Sequence, residues 1–119
     1  MHYSTSNVYD ILADQGATLN RALFLKTSAK RPVDIQDYTG RMHIRDYTDS
    51  SIIVKTLTTE NNGLVIDGLA GRVDIFLKPS DTDDLSAKDY VYDLELESEE
   101  GDVTRIVSGK LTVRAEITY

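Results

Sequence analysis

Along most of this chain apolar and polar residues alternate with a period of two. Tyr90, Tyr92, Leu94 and Leu96 alternate with Val91, Asp93, Glu95 and Glu97. Val73, Ile75 and Leu77 alternate with Arg72, Asp74, Phe76 and Lys78, and Leu111, Val113, Ala115 and Ile117 alternate with Lys110, Thr112, Arg114, Glu116 and Thr118. Successive side chains of a strand point to opposite faces, so each segment predicts a strand with one face in a core and the other outside it. Buried parallel strands would be apolar throughout, so antiparallel sheets are expected. Earlier segments fit the template less cleanly. Ala17, Leu19, Leu23 and Leu25 share a parity across Thr18–Lys26, with Arg21 the exception, and Met42 and Ile44 alternate with Arg41, His43 and Arg45. Ile52–Leu57 is β-branched and apolar with no clear inward face, Leu64–Ile66 is a short strand, and Val8–Ala13 reads as an edge strand.

Turn signals separate these runs at Gln15-Gly16, Arg31-Pro32, Asp37–Gly40, Asn61–Gly63, Gly68–Gly71 and Glu100–Asp102. Glycine and asparagine supply positive φ there and proline presets φ. Glu95–Ser108 forms a hairpin candidate around Gly101, and Gly109 marks a bulge or a close backbone approach in the last strand. Asp34 and Asp37, beside Tyr38-Thr39-Gly40, have side chains suited to closing a turn on backbone amides. One segment breaks the period. After Pro79, residues 80–87 place a capping Ser80 and acids before Leu85, which predicts a short helical turn with Leu85 tucked inward. Seven to eight short strands with regular turns predict an all-β, antiparallel sandwich of the immunoglobulin-like kind.

The 119 residues match one domain spanning 1–119, with Met1–Asn7 and Arg114–Tyr119 expected as arms that order against neighbours. No run is apolar enough for a membrane span, and no basic-then-apolar start marks a secretion signal, so a soluble, intact chain is expected. Cysteine is absent, which removes disulfides, thiolate metal sites and cysteine nucleophiles. The formal charge is −7, from 20 acidic and 13 basic residues, the wrong sign for neutralising phosphates, so no nucleic acid is expected as partner. Asp81, Asp83 and Asp84 offer oxygens for calcium. They lack the spaced ligands, central glycine and closing glutamate of a calcium loop, and a solvated surface is the plainer reading.

Catalysis needs a nucleophile, base or metal held in a pocket. His2 sits in a terminal segment and His43 on the polar face between Arg41 and Arg45. No metal-ligand pair, nucleophile elbow, phosphate loop or dinucleotide fingerprint is present, and Asp93 and Glu95 face outward on one strand. The sequence therefore assigns no catalytic residue, cofactor or metal, and a non-enzymatic chain is expected. Other residues point to contact surfaces. Tyr90 and Tyr92 are expected in the core, while Tyr38 and Tyr47 are expected to pack against turns. Phe76 opposes the parity of Val73, Ile75 and Leu77, and Phe24 that of Leu23 and Leu25, so both face outward. Phe24, Phe76, Tyr47 and Tyr119 are the candidate protein-interface residues. A carbohydrate- or ligand-binding sandwich, calcium-assisted at Asp81–Asp84 with tyrosines stacking on sugars, is the alternative.

The order of motifs resembles a family of small virion structural proteins encoded by tailed phages. The motifs are Asp-Gln-Gly-Ala-Thr at Asp14–Thr18, Pro-Val-Asp-Ile-Gln-Asp-Tyr-Thr-Gly at Pro32–Gly40, Met42–Arg45, Leu57–Gly63, Tyr-Val-Tyr-Asp-Leu-Glu-Leu at Tyr90–Leu96, and Thr104–Val113. Together they span residues 8 to 118. The chain is also similar to the N-terminal immunoglobulin-like domain of phage upper-baseplate proteins, with Ile35-Gln36-Asp37 standing where Leu-Thr-Gly is usual. The first eight residues carry no resemblance. This resemblance implies a virion protein of the tail, baseplate, fibre attachment or neck, touching other virion proteins within a homo-oligomer or symmetric assembly. Longer relatives continue into a receptor-binding or fibre domain, so an adaptor or decoration role is expected. The motifs carry no catalytic or ligand residue to transfer.

Overall fold

A computed structural model describes residues 7–47 and 51–115. Eight strands and one short helix follow in order: β1 (Ile11–Asp14), β2 (Leu19–Phe24), β3 (Thr39–Arg45), β4 (Ile53–Thr58), β5 (Leu64–Asp67), β6 (Arg72–Leu77), α1 (Pro79–Asp83), β7 (Asp89–Glu97) and β8 (Val103–Arg114). They form a five-stranded sheet in the order β1-β8-β7-β3-β4 and a three-stranded sheet in the order β2-β6-β5. Sequence-adjacent strands change sheet between β1 and β2, β2 and β3, β4 and β5, and β6 and β7, which produces an immunoglobulin-like sandwich. The core lies between the sheets, with Met42, Ile44, Val73, Ile75, Leu77, Leu94, Leu96 and Leu111 completely buried. Each fully buried side chain of this size contributes about 1.5–3 kcal/mol.

The period-two segments become strands with the expected faces inward. Leu19 and Leu25 are buried and Leu23 packs against the core. Several details differ. Ala17 is exposed in the turn before β2, because the chain is still reversing at Gly16. Ala115 is exposed just past the end of β8, where no strand lies opposite it. Ile117 lies outside the described residues. The N-terminal strand is Ile11–Asp14 with a separate bridge from Val8 to Ser108, shorter than Val8–Ala13 and shifted. It runs parallel to β8, as does the Val8–Ser108 bridge, whereas the other strand pairs among the described residues are antiparallel. Strand alternation reports which face is buried and says nothing of the neighbour's direction. Two residues of the expected arms are held in the fold. Ser108 N–H donates to the Asn7 carbonyl at 3.1 Å, and Arg114 lies within β8, with Nε donating to Asp14 Oδ1 at 2.7 Å. The remaining residues of the expected arms lie outside the description, apart from Ala115.

Turn chemistry sets the connections. The β7–β8 hairpin closes with Gly101 at φ +96°, Gly101 N–H donating to the Ser98 carbonyl at 2.9 Å. Further along, Leu94 pairs with Val107 and Glu95 with Arg105, so Ile106 is an extra residue. That bulge lets Ile106 and Val107 both turn inward. Asp34 closes the turn before β3, its Oδ1 accepting from Gln36 N–H at 3.0 Å, while Asp37 contributes a backbone φ of +64°. In α1 the N-cap residue is Lys78 and the amide-holding side chain is that of Asp81, an aspartate of the expected turn: its Oδ2 accepts the Lys78 N–H at 3.0 Å, and Pro79 occupies the first turn. Leu85 is buried as expected, and Thr82 beneath the helix is fully buried, its hydroxyl donating to the Ala17 carbonyl at 2.8 Å.

Candidate functional site

The outer face of the three-stranded sheet is built by the even-numbered side chains of β2 and β6 and the odd-numbered ones of β5. Pairing sets Arg72 between Phe24 and Asp67, Asp74 between Ala22 and Val65, and Asn20 beside Phe76. Phe24 is 58% exposed and Val65 51%. Phe76 faces outward as its parity requires but is half-buried. Between the apolar groups sits a small ion cluster, with Arg72 Nη2 at 3.9 Å from Asp67 Oδ2 and Nε at 3.4 Å from Asp74 Oδ2. That Nε is covered from solvent and too poorly aimed at the carboxylate for a hydrogen bond. The face is thus apolar at two corners and charge-balanced in the middle.

Tyr47 lies elsewhere. It follows β3 at the end of the sandwich where β7 begins, whereas Phe24 lies at the end where β6 begins. There Tyr47 is 64% exposed, and the approach to β4 adds exposed Ile52 and Ile53. Parity had left this run undecided. Only Leu57 of the segment reaches the core, because β4 is an edge strand bulged at Val54. The structure therefore brings Phe24 and Phe76 onto one face, places Tyr47 with the isoleucines at the end opposite Phe24, and leaves Tyr119 outside the described residues. Tyr38 packs against the core.

The outer face of the five-stranded sheet is laced with ion pairs. Arg41 Nη2 lies 3.0 Å from Glu95 Oε1 and Arg45 Nη1 3.3 Å from Asp93 Oδ1. His43 stands between them, half-buried and paired in register with Asp93 and Thr56. Asp93 and Glu95 are thereby each matched by an arginine on the neighbouring strand, an arrangement that supports the sheet. Asp81, the first acid of the calcium alternative, is engaged as well. Its Oδ1 lies 3.0 Å from Lys55 Nζ and its Oδ2 accepts the Lys78 amide. Partial burial pushes this carboxyl up, and the Lys55 ammonium with the Lys78 N–H more than offsets that, so its pKa lies below the ordinary value. Among the described residues, no three histidine, aspartate or glutamate side chains group to hold a metal ion. A groove of about 350 Å³ opens beside this pair, walled by Phe76, Leu57 and Asn62.

Two tyrosines hold β7 from both ends of their reach. Tyr90, at the start of the strand, donates its hydroxyl to the Ser86 carbonyl four residues upstream at 3.0 Å, the tyrosine corner of immunoglobulin-like folds. Tyr92 donates to the Tyr9 carbonyl. Burial, with Tyr9 and Asp10 nearby, pushes its phenol far above the ordinary value. Sequence spacing carries no signal for the second bond, whose partners are 83 residues apart. Comparison with protein-family models and with curated proteins finds no match to this chain.

Proposed function

We propose that this chain is a non-enzymatic virion structural protein of a tailed phage, an adaptor or decoration subunit of the tail, baseplate, fibre attachment or neck. It would act through contacts with other virion proteins and with copies of itself. The observation that carries the reading is the outer face of the three-stranded sheet. It leaves Phe24 and Val65 exposed on the same face as Phe76, on a side of the fold whose own packing does not use them. The phage-like order of motifs from Asp14 to Val113 agrees with it, and so does the engagement of Asp93, Glu95 and Asp81 in ion pairs. The test is cryo-electron microscopy of purified particles from the source, with mass spectrometry of their protein content. The expected result is ordered density for this chain in a ring or collar against two or more other chains. Absence from intact particles would overturn the proposal.

A second reading, a saccharide-binding module, draws on the groove beside Phe76, where an aromatic wall adjoins Lys78 and Asn62. Calorimetric titration with host-surface glycans tests it, with and without calcium. Heat of binding that Phe76→Ala abolishes would support it, and no heat with any glycan would remove it.

A further inference from the structure

A sandwich of two open sheets has four edge strands, here β1, β4, β2 and β5. Unpaired edges are templates for strand addition, and proteins blunt them by shortness, bulges, inward charges or a covering group. Three of the four are blunted. β1 and β5 are four residues long. β4 is bulged at Val54, and its Lys55 points inward to Asp81. Over the rest of β4 the Asn61 carboxamide takes the place of a neighbouring strand. Its Oδ1 accepts the Thr58 N–H at 2.9 Å and its Nδ2 donates to the Thr56 carbonyl at 3.0 Å.

β2 is protected at one place, by Arg21, which sits on the inward face opposite Ile75. It is six residues long, in unbroken register with β6 from Leu19 to Phe24, without proline or lysine. The Leu25 N–H bonds to the Gly71 carbonyl at 2.8 Å on the β6 side, so odd-numbered residues serve that ladder. The backbone groups of Asn20, Ala22 and Phe24 point the other way. Among the described residues no strand lies beyond them. Arg21 reaches the Asn20 carbonyl at 3.0 Å and leaves the Ala22 and Phe24 groups uncovered.

We infer that this edge pairs with the same edge of a second copy, antiparallel about a two-fold axis at Ala22. The β2 sequence is self-complementary in that register. Ala22 faces Ala22 of the second copy, Asn20 faces Phe24, and Arg21 faces Leu23, so no like charges meet. The small alanines permit close approach, and each exposed Phe24 ring gains the diagonal Ala22 methyl of the other copy. The pairing forms about six backbone hydrogen bonds and joins two three-stranded sheets into one. The buried area falls below the ~800 Å² per partner of a standard interface, so dimerisation is weak and concentration-dependent. This deepens the contact-protein reading, yet it is measured on the isolated chain and fails or holds apart from any particle.

Sedimentation velocity of the full chain over a hundred-fold range of concentration, with amide hydrogen exchange, tests it. The expected result is a monomer–dimer equilibrium in which the Ala22 and Phe24 amides gain protection as dimer forms. Ala22→Pro removes an N–H outside the β6 ladder and blocks the edge, so it should abolish the dimer. Ala22→Lys leaves the backbone intact and should weaken the dimer by about ten-fold or more, keeping the test valid if the proline variant does not fold. A chain monomeric throughout, with those amides exchanging like loop amides, overturns the inference. A dimer indifferent to the lysine substitution does so too. Protection of the two amides only in whole particles, with a monomer in isolation, would give the edge to a different chain and equally refute self-pairing.

Discussion

Replacing Gly109 by alanine separates two physical expectations of opposite sign. On backbone grounds the change is favourable: φ at Gly109 is not in the left-handed region, and glycine inside a strand costs roughly 0.5–1 kcal/mol relative to alanine. On packing grounds it is not. A Cβ there would meet the Tyr9 backbone, with the carbonyl carbon only 2.8 Å away, and a main chain cannot rotate aside as a side-chain tip can. The segment before β1 must lift. Four hydrogen bonds fasten it: Tyr9 N–H to the Ser108 carbonyl at 2.9 Å, Ser108 N–H to the Asn7 carbonyl, Lys110 N–H to Asp10 Oδ1 at 2.9 Å, and the Tyr92 hydroxyl to the Tyr9 carbonyl. At about 1 kcal/mol net for each, partly recovered by water, Gly109→Ala should destabilise by about 2–3 kcal/mol. Urea unfolding measures this as a lower midpoint at unchanged slope. Ultraviolet titration should show the Tyr92 phenol falling back toward its ordinary pKa as the covering segment leaves, since burial is the main cause of its rise. A variant as stable as the parent, or more so, with Tyr92 titrating as before, would refute the close-approach account.

Three further outcomes follow from named contacts. Tyr90→Phe removes the corner bond to the Ser86 carbonyl and should cost about 1 kcal/mol by urea unfolding, with little change in packing because only the hydroxyl goes. Thr82→Val keeps the shape of a fully buried side chain but strips the donor from the Ala17 carbonyl, so a loss of about 1–2 kcal/mol is expected. A neutral result would mean that water reaches that carbonyl. Asp81 has a folded pKa below the ordinary 3.8, so in acid the unfolded chain binds the proton more readily. Its contribution is therefore complete above that value and lost as pH falls through the lower folded one. Unfolding midpoints measured from pH 5 downward, a range chosen to bracket ~4, should drop less steeply in Asp81→Asn than in the parent.

How much of this was legible in the sequence depends on the physics that each feature obeys. Tyr90–Leu96 and Val73–Leu77 could be read directly, since a strand with one buried face must alternate. The adjacent Ile106 and Val107 break that rhythm because a bulge turns two neighbours to the same side. Ile52 to Val54 showed no inward face by alternation and all three are exposed, because an edge strand with a bulge has little sheet to lie against. The parallel course of β1 was hidden, since partner direction leaves no mark on either strand's alternation. Phe24 and Phe76 were legible as outward by parity. That they share a face while Tyr47 lies at the end opposite Phe24 required the topology, because strands far apart in the sequence can be neighbours or strangers. Gly109 was legible as a close approach, and the chain that approaches it was not.

The two tyrosines of β7 also explain why the open edge is β2. In antibody-type sandwiches the residue two places after the corner tyrosine is a cysteine that ties this strand to the second strand of the opposite sheet. Here that place holds Tyr92, and cysteine is absent from the chain. Its bond runs to Tyr9 in the segment leading into β1. The cross-link is thus made to the first strand, which joins β8 in the five-stranded sheet, with Arg114 and Asp14 closing the far end. β2 is left to the packing of Leu19, Leu23 and Leu25, its ladder with β6 and a single guanidinium contact from Arg21 to the Leu12 carbonyl at 3.3 Å. Recruiting the N-terminal segment to β8 seals one sheet and withholds that segment from the other. The same choice that lets the domain hold together without a disulfide leaves Ala22 and Phe24 with backbone groups facing outward, available to another strand.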